Sequence, residues 1–250
     1  MKRNIKLFIR YDGTRYYGWE HQPTEPMTIQ GKLEEVVRRM LGLPEGEIPL
    51  IIGAGRTDAG VHAQEMVANF HAETDLSEEE ILAYLNRYLP EDIGVDRAVF
   101  ASERFHARYN AKGKHYRYRC WCGVNKPVFE RKYMTVLQDD VDLEKMQSAA
   151  ALLVGTHDFK GFCANPRMKK STVRTVDEIT IRRKKEELRF DFHGNGFLQN
   201  MVRILVGTLL EVGCGRMDEE RIRKILEEGD RRIAGPTALP QGLCLIRVDY

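Results

Sequence analysis

Apolar residues recur at helical spacing near the N-terminus: Ile29, Leu33, Val36, Val37, Met40 and Leu41 fall on one stripe. Ser77 followed by Glu80 has the form of a capping box, with Leu76 and Ile81 as its hydrophobic staple. It opens a second helix that runs to about Leu89, before Pro90. Asp142 is placed to cap a third helix through Leu153, which Gly155 ends. The stretch 197–212 predicts a fourth helix, and Asp218 begins a fifth. Between them, two-residue alternation or β-branched and aromatic content predicts strands over 5–11, 50–54, 66–70, 95–98, 115–121, 176–181, 188–192 and 243–248. Helices and strands recur in both halves without a low-complexity linker. The pattern therefore predicts an α+β fold of two units, 1–105 and 106–250, sharing one mostly antiparallel sheet.

The fourth helix differs from the others. Phe197, Leu198, Met201, Val202, Ile204, Leu205, Val206, Leu209 and Leu210 cover nearly all of its sides, the mark of a helix buried all round. Arg203 is its only charge before Glu211. A guanidinium stays protonated, so in such a setting it either finds an anion or reaches solvent along its aliphatic stem. Asp58 is a candidate partner.

That aspartate lies in "GAGRTDAGVHA", residues 53–63, directly after the apolar run Pro49-Leu50-Ile51-Ile52. In an extended segment Arg56 and Asp58 point to the same side, and Gly60 permits a sharp turn just after them. Two opposite charges at one spot suit a reacting group. They equally suit a surface ion pair at a turn.

Composition narrows the class. With 42% hydrophobic and 30% charged residues, the chain is an ordinary globular protein, and it has nothing like the roughly 20 apolar residues of a membrane span. Met1-Lys2-Arg3-Asn4 leads into an alternating run and not into a signal peptide, so a soluble, cytoplasmic protein is expected. The five cysteines, odd in number and scattered, do not form a disulfide framework, and Cys120 and Cys122 are too close for a zinc-binding C-x-x-C. No metal is expected.

The net charge is only +2, yet cations are segregated. From Arg97 to Lys132 the acidic residues are Glu103 and Glu130 alone, against a run of arginines and lysines; Arg167, Lys169, Lys170 and Arg174 form a second basic cluster. Such segregation suggests a polyanion partner, a solvated surface of mixed sign being the alternative. "KGKHYRYRC", residues 112–120, reads as a strand with Tyr116, Tyr118 and Cys120 on one face and His115, Arg117 and Arg119 on the other. Cations interleaved with aromatics suit nucleic acid, since phosphates attract cations and unstacked bases attract aromatic planes. Tyrosines in a strand also pack in cores.

Taken together, "YDGTRYYGW", "GAGRTDAGVHA", "LPEDI", "FHARY", "KHYRYR", "GTHDF", "NGFLQNMVRILVGTLLEVG" and "GLCLIRVDY" span nearly the whole chain, and in them it resembles the tRNA pseudouridine synthase A family. The resemblance implies isomerisation of uridine in the anticodon stem-loop of tRNA, without cofactor or metal, by a homodimer. It implies a pseudouridine synthase fold of two ferredoxin-like halves with a continuous sheet and helices on the outer face. Asp58 would be the catalytic aspartate, Arg56 the residue that helps displace the target base, Tyr116 the tyrosine against the uracil, and Arg203 the arginine paired with the aspartate. Leu243 would line the pocket, and Gly55, Thr57, Phe197, Arg108, Lys112 and Lys114 would contact substrate. Glu20 in "GWEHQ" stands where the family usually has glutamine, while His62 and His157 are read as structural. A non-catalytic RNA-binding protein and an N-glycosidase are the competing classes.

Overall fold

The structure, a computed structural model, describes residues 1–165 and 167–250. In chain order it forms β1 (Lys2–Tyr11), α1 (Ile29–Met40), β2 (Ile52–Gly53), β3 (His62–Glu73), α2 (Glu78–Tyr88), β4 (Ile93–Ala101) and β5 (Gly113–Trp121). There follow β6 (Thr135–Val136), α3 (Leu143–Ala151), β7 (Gly155–Asp158), β8 (Val173–Lys184), β9 (Glu187–Gly194), α4 (Met201–Gly213), α5 (Glu219–Glu228) and β10 (Leu243–Asp249). Strands with packed helices in both parts of the chain make the α+β class correct.

The chain divides into two units, Met1–Ala111 with Leu245–Tyr250, and Lys112–Cys244. The last six residues join the first unit because Tyr250 donates its hydroxyl hydrogen to the Ala107 carbonyl at 2.7 Å, packs against Phe105 and lies under the Lys6 ammonium. Sequence periodicity has no means of showing such a return.

In the first unit β1 lies between β4 and β3, antiparallel to both, with β2 on β3 and β10 beside β3. Its inner face buries Ile5, Leu7, Ile9, Met66 and Phe70, and α1 and α2 bring Leu33, Val37, Ile81 and Leu85. Both helix starts follow the sequence logic: Thr28 caps α1, and Ser77 with Glu80 completes the capping box of α2. The second unit runs β5-β9-β8-β7, antiparallel, with the two-residue β6 parallel to β5.

Three expectations need correction. The strand over 50–54 shrinks to Ile52–Gly53, the only residues of that stretch laddered to β3; Leu50 is exposed, while Ile51 and Ala54 enter the core. The third helix stops at Ala151, and Gly155 instead starts β7. The fourth begins at Met201 and not at Phe197, since Asn200 takes a left-handed conformation at φ 59° that no helix can contain. From Met201 onward the burial is as expected: only Arg203, Leu210 and Glu211 of α4 are partly accessible.

Candidate active site

Residues 54–61 join β2 to β3 and carry Gly55, Arg56, Thr57 and Asp58. This loop is laced to the segment after β1. The Trp19 N–H donates to the Thr57 carbonyl at 3.0 Å, and the Gly60 N–H to the Tyr16 carbonyl at 3.2 Å. The hydroxyls of Tyr11 and Thr57 bond each other, buried, at 2.8 Å. Within the loop the Val61 N–H returns to the Asp58 carbonyl, closing a turn that needs Gly60 at φ 77°.

Gly13 lets the two segments approach this closely. A Cβ there would sit 2.0 Å from the Val61 carbonyl oxygen. Its N–H donates to Nδ1 of the buried His62 at 3.0 Å. Tyr16, buried in the same segment, donates to Asp92; burial, reinforced by that carboxylate, pushes its hydroxyl up to about 12. Thus "YDGTRYYGW" is the cradle of the aspartate loop, and its glycines are the sequence signal of a backbone-to-backbone approach.

Asp58 is half-buried at the turn. Arg56, two residues earlier, is exposed and reaches Glu20, Nη1 to Oε2 2.7 Å. The same-side reading of Arg56 and Asp58 missed this third charge, which lies 36 residues away in sequence. Thr57, expected to touch substrate, has its hydroxyl engaged by Tyr11.

In the second unit β5 alternates as expected, with Tyr116, Tyr118 and Cys120 buried and His115, Arg117 and Arg119 half-exposed. Tyr118 belongs to the core: its hydroxyl bonds Thr135 and donates to the Leu239 carbonyl, and burial raises its pKa. Tyr116 meets Phe197 edge to face, centroids 5.2 Å apart at 84°, so these two expected site residues come together. Leu243 is buried at the start of β10. Arg203 donates from Nε to the Ala238 carbonyl at 2.7 Å and from Nη1 to the Asn200 side chain at 3.2 Å. The left-handed Asn200 therefore serves the arginine and not the helix terminus, to which it gives no side-chain cap.

The cation count along the chain overstated the positive surface. Across the β5–β9 pair, Arg117 bonds Asp191 at 2.7 Å and Arg119 bonds Glu187 at 3.1 Å; Arg119 also bonds Glu130, in the segment between β5 and β6, at 2.9 Å. The hydrogen bond from Arg119 holds the Glu187 carboxyl below its usual range. Lys112, Arg108, Arg167, Lys169 and Lys170 are exposed, and Lys114 is half-exposed.

The model of the family described as tRNA pseudouridine synthase matches residues 7–110 and 149–250. The chain belongs to that family. A tRNA pseudouridine synthase A of Clostridium kluyveri is 42% identical over 99% of this chain and 100% of its own length. A tRNA pseudouridine synthase A 2 of Bacillus cereus is 43% identical over 99% of each chain, and the Thermoanaerobacter enzyme is 42% identical over 99% of this chain and 100% of its own. A solved Cbf5-Nop10-Gar1 complex aligns at TM-score 0.39 and 12% identity, covering 96% of this chain and 48% of that one, too weak a likeness to bear on the fold. Arg56, Asp58, Phe197, Arg203 and Leu243 fall within the stretches matched by the family model, whereas Lys112, Lys114 and Tyr116 fall between them, in a region the full-length relatives span. Membership makes the chain an isomerase of tRNA uridine.

Proposed function

We propose that this tRNA pseudouridine synthase family member isomerises uridines of the anticodon stem-loop, with Asp58 as its catalytic carboxylate. The bond from ribose C1′ to uracil N1 breaks, the base turns over, C1′ bonds to C5, the C5 proton leaves and N1 takes up a proton. Atoms and electrons balance without a cofactor. Asp58 acts at the ribose, as nucleophile on C1′ or as base toward a ribose proton.

The observation that carries the reading is the loop itself. A half-buried carboxylate sits at a turn fixed on both sides by main-chain bonds, inside the stretch matched by the family model. Such prior ordering is what a reaction at a flipped base requires, since positioning supplies much of the rate. Arg56 fills the space the base vacates, and Tyr116 packs on the uracil with Phe197 behind it. Arg203 supplies the countercharge of Asp58, Leu243 lines the pocket, and Gly55 and Thr57 border it. Arg108, Lys112 and Lys114 hold the phosphate backbone, which gives affinity more than sequence information. The enzyme works in the cytoplasm as a homodimer.

Incubation with unmodified tRNA transcripts, followed by pseudouridine mapping and by tritium release from C5-labelled uridine, tests this directly. Asp58→Asn should keep the fold and RNA binding but lose turnover by at least about 10³-fold. Turnover by that variant, or release of free uracil by the wild type, removes the assignment.

A further inference from the structure

We propose that Glu20 is a specificity-determining residue, whose carboxylate occupies Arg56 in the free enzyme and yields it only to RNA seated on loop 54–61. The inference rests on the reading of Arg56 as an RNA-facing residue and concerns what controls it. The pair is short, 2.7 Å, and lies open to solvent, the two side chains being 58% and 56% exposed. An incoming phosphate can therefore reach it.

Most surface ion pairs lose part of their gain to ordering two long side chains. Both backbones are already fixed in this one. Trp19, before Glu20, is buried; its N–H bonds Thr57 and its carbonyl accepts from the Gln30 N–H at 2.9 Å. His21, after it, donates its N–H to the Gln30 side chain at 3.0 Å and sets its ring against the buried Glu34. On the other side, Arg56 precedes Thr57, whose hydroxyl and carbonyl are both engaged. The two neighbours of Glu20 thus aim its carboxylate at the arginine.

An unaccompanied guanidinium on an exposed loop binds any phosphate backbone. With Glu20 in place, loosely held RNA must displace a carboxylate and then lie beside it, gaining nothing in exchange. RNA whose target base enters the site makes further contacts that outweigh the lost pair. Glu20 therefore lowers the affinity for wrong RNA more than for right RNA.

Glu20→Gln keeps shape and hydrogen-bonding capacity while removing the charge. Its binding is measured against salt for an unmodified tRNA transcript and for polycytidylate, a single strand without uridine. For polycytidylate the log–log salt slope should steepen by about 0.7, as expected when one more phosphate of a single strand is neutralised. Its affinity at low salt should rise roughly two- to fivefold, that of tRNA should rise less, and the preference for tRNA should fall. In an Arg56→Gln background Glu20→Gln should change none of these. Unchanged slope and preference in Glu20→Gln, with Arg56→Gln still weakening tRNA binding, overturns the inference and leaves the tRNA reading intact, and a lowered melting temperature alone counts the same way. Arg56→Gln without effect on tRNA binding or turnover removes the role of Arg56, and the inference with it.

Discussion

Loop 54–61 takes its shape from main-chain hydrogen bonds and close approach to residues 11–19, whereas Arg117 and Arg119 on β5 take theirs from carboxylates on the next strand. The first kind of restraint does not titrate near neutrality and is indifferent to salt. The second is screened by salt and weakens in acid, as Glu187 takes up its proton. On the proposed function, the loop that must be in place before RNA arrives is held by uncharged main-chain contacts. The two arginines of β5 that face solvent are neutralised by carboxylates on β9. A tally of cations along the chain is therefore a poor measure of the field that a polyanion meets.

Gly13→Ala should break this contrast most severely. The added methyl meets the Val61 carbonyl oxygen at 2.0 Å, and neither backbone can yield alone. Overpacking of this kind costs about 1–3 kcal/mol or more, and displacement of Asp58 by an ångström costs about 10²-fold in turnover. Thermal unfolding and tritium release read the two losses separately. A variant with wild-type rate would show that the loop does not need the cradle.

A smaller effect separates Lys112 and Lys114, at the start of β5, from Arg117 and Arg119, which bond carboxylates on β9. Replacing Lys112 and Lys114 by alanine should reduce the salt slope of tRNA binding by roughly one unit for each phosphate that is no longer neutralised. Replacing Arg117 and Arg119 by glutamine should leave that slope unchanged. If the second pair of changes flattens the slope, phosphate displaces Asp191 and Glu187 in the complex and the contrast fails.

The smallest effect is the stabilisation by Glu187. Arg119 holds this carboxylate below its ordinary value, so its contribution is full above the unfolded value near 4.5 and disappears as pH falls through the folded one. Wild type should exceed Glu187→Gln by up to about 1 kcal/mol at pH 7. The gap should close in acid, as read by urea unfolding at several pH values. A gap independent of pH would mean that the pair contributes nothing through its charge.

Legibility from sequence followed the range of the interactions concerned. The helix of Leu33 and Val37, the capping box of Ser77 and Glu80, and the alternation of Tyr116 and Tyr118 were readable because each is decided within a few residues. The strands Thr135–Val136 and Gly155–Asp158 were not, since segments so short are strands only because β5 and β8 offer them a ladder. Arg56, Asp58 and Gly60 announced a charged turn, but Glu20, which engages Arg56, is distant in sequence. Asp191 and Glu187 were invisible for the same reason. Asn200 could not be recognised as a helix breaker, because asparagine adopts the left-handed region only where its surroundings favour it.

The return of residues 245–250 to the first unit has a consequence for how a cell makes this protein. A ribosome releases β1, β3 and β4 early, yet the strand that lies beside β3 is not synthesised until the whole of the second unit has followed it. At about 5–20 residues per second that interval is on the order of ten seconds. Throughout it, the backbone groups of β3 that β10 is to meet, beside the two-residue β2, stand without their final ladder partner, an open sheet margin of the kind that recruits stray strands. The nascent chain is thus most vulnerable to aggregation just before β10 is made, and chaperone occupancy during translation should be heaviest in the window before that strand emerges.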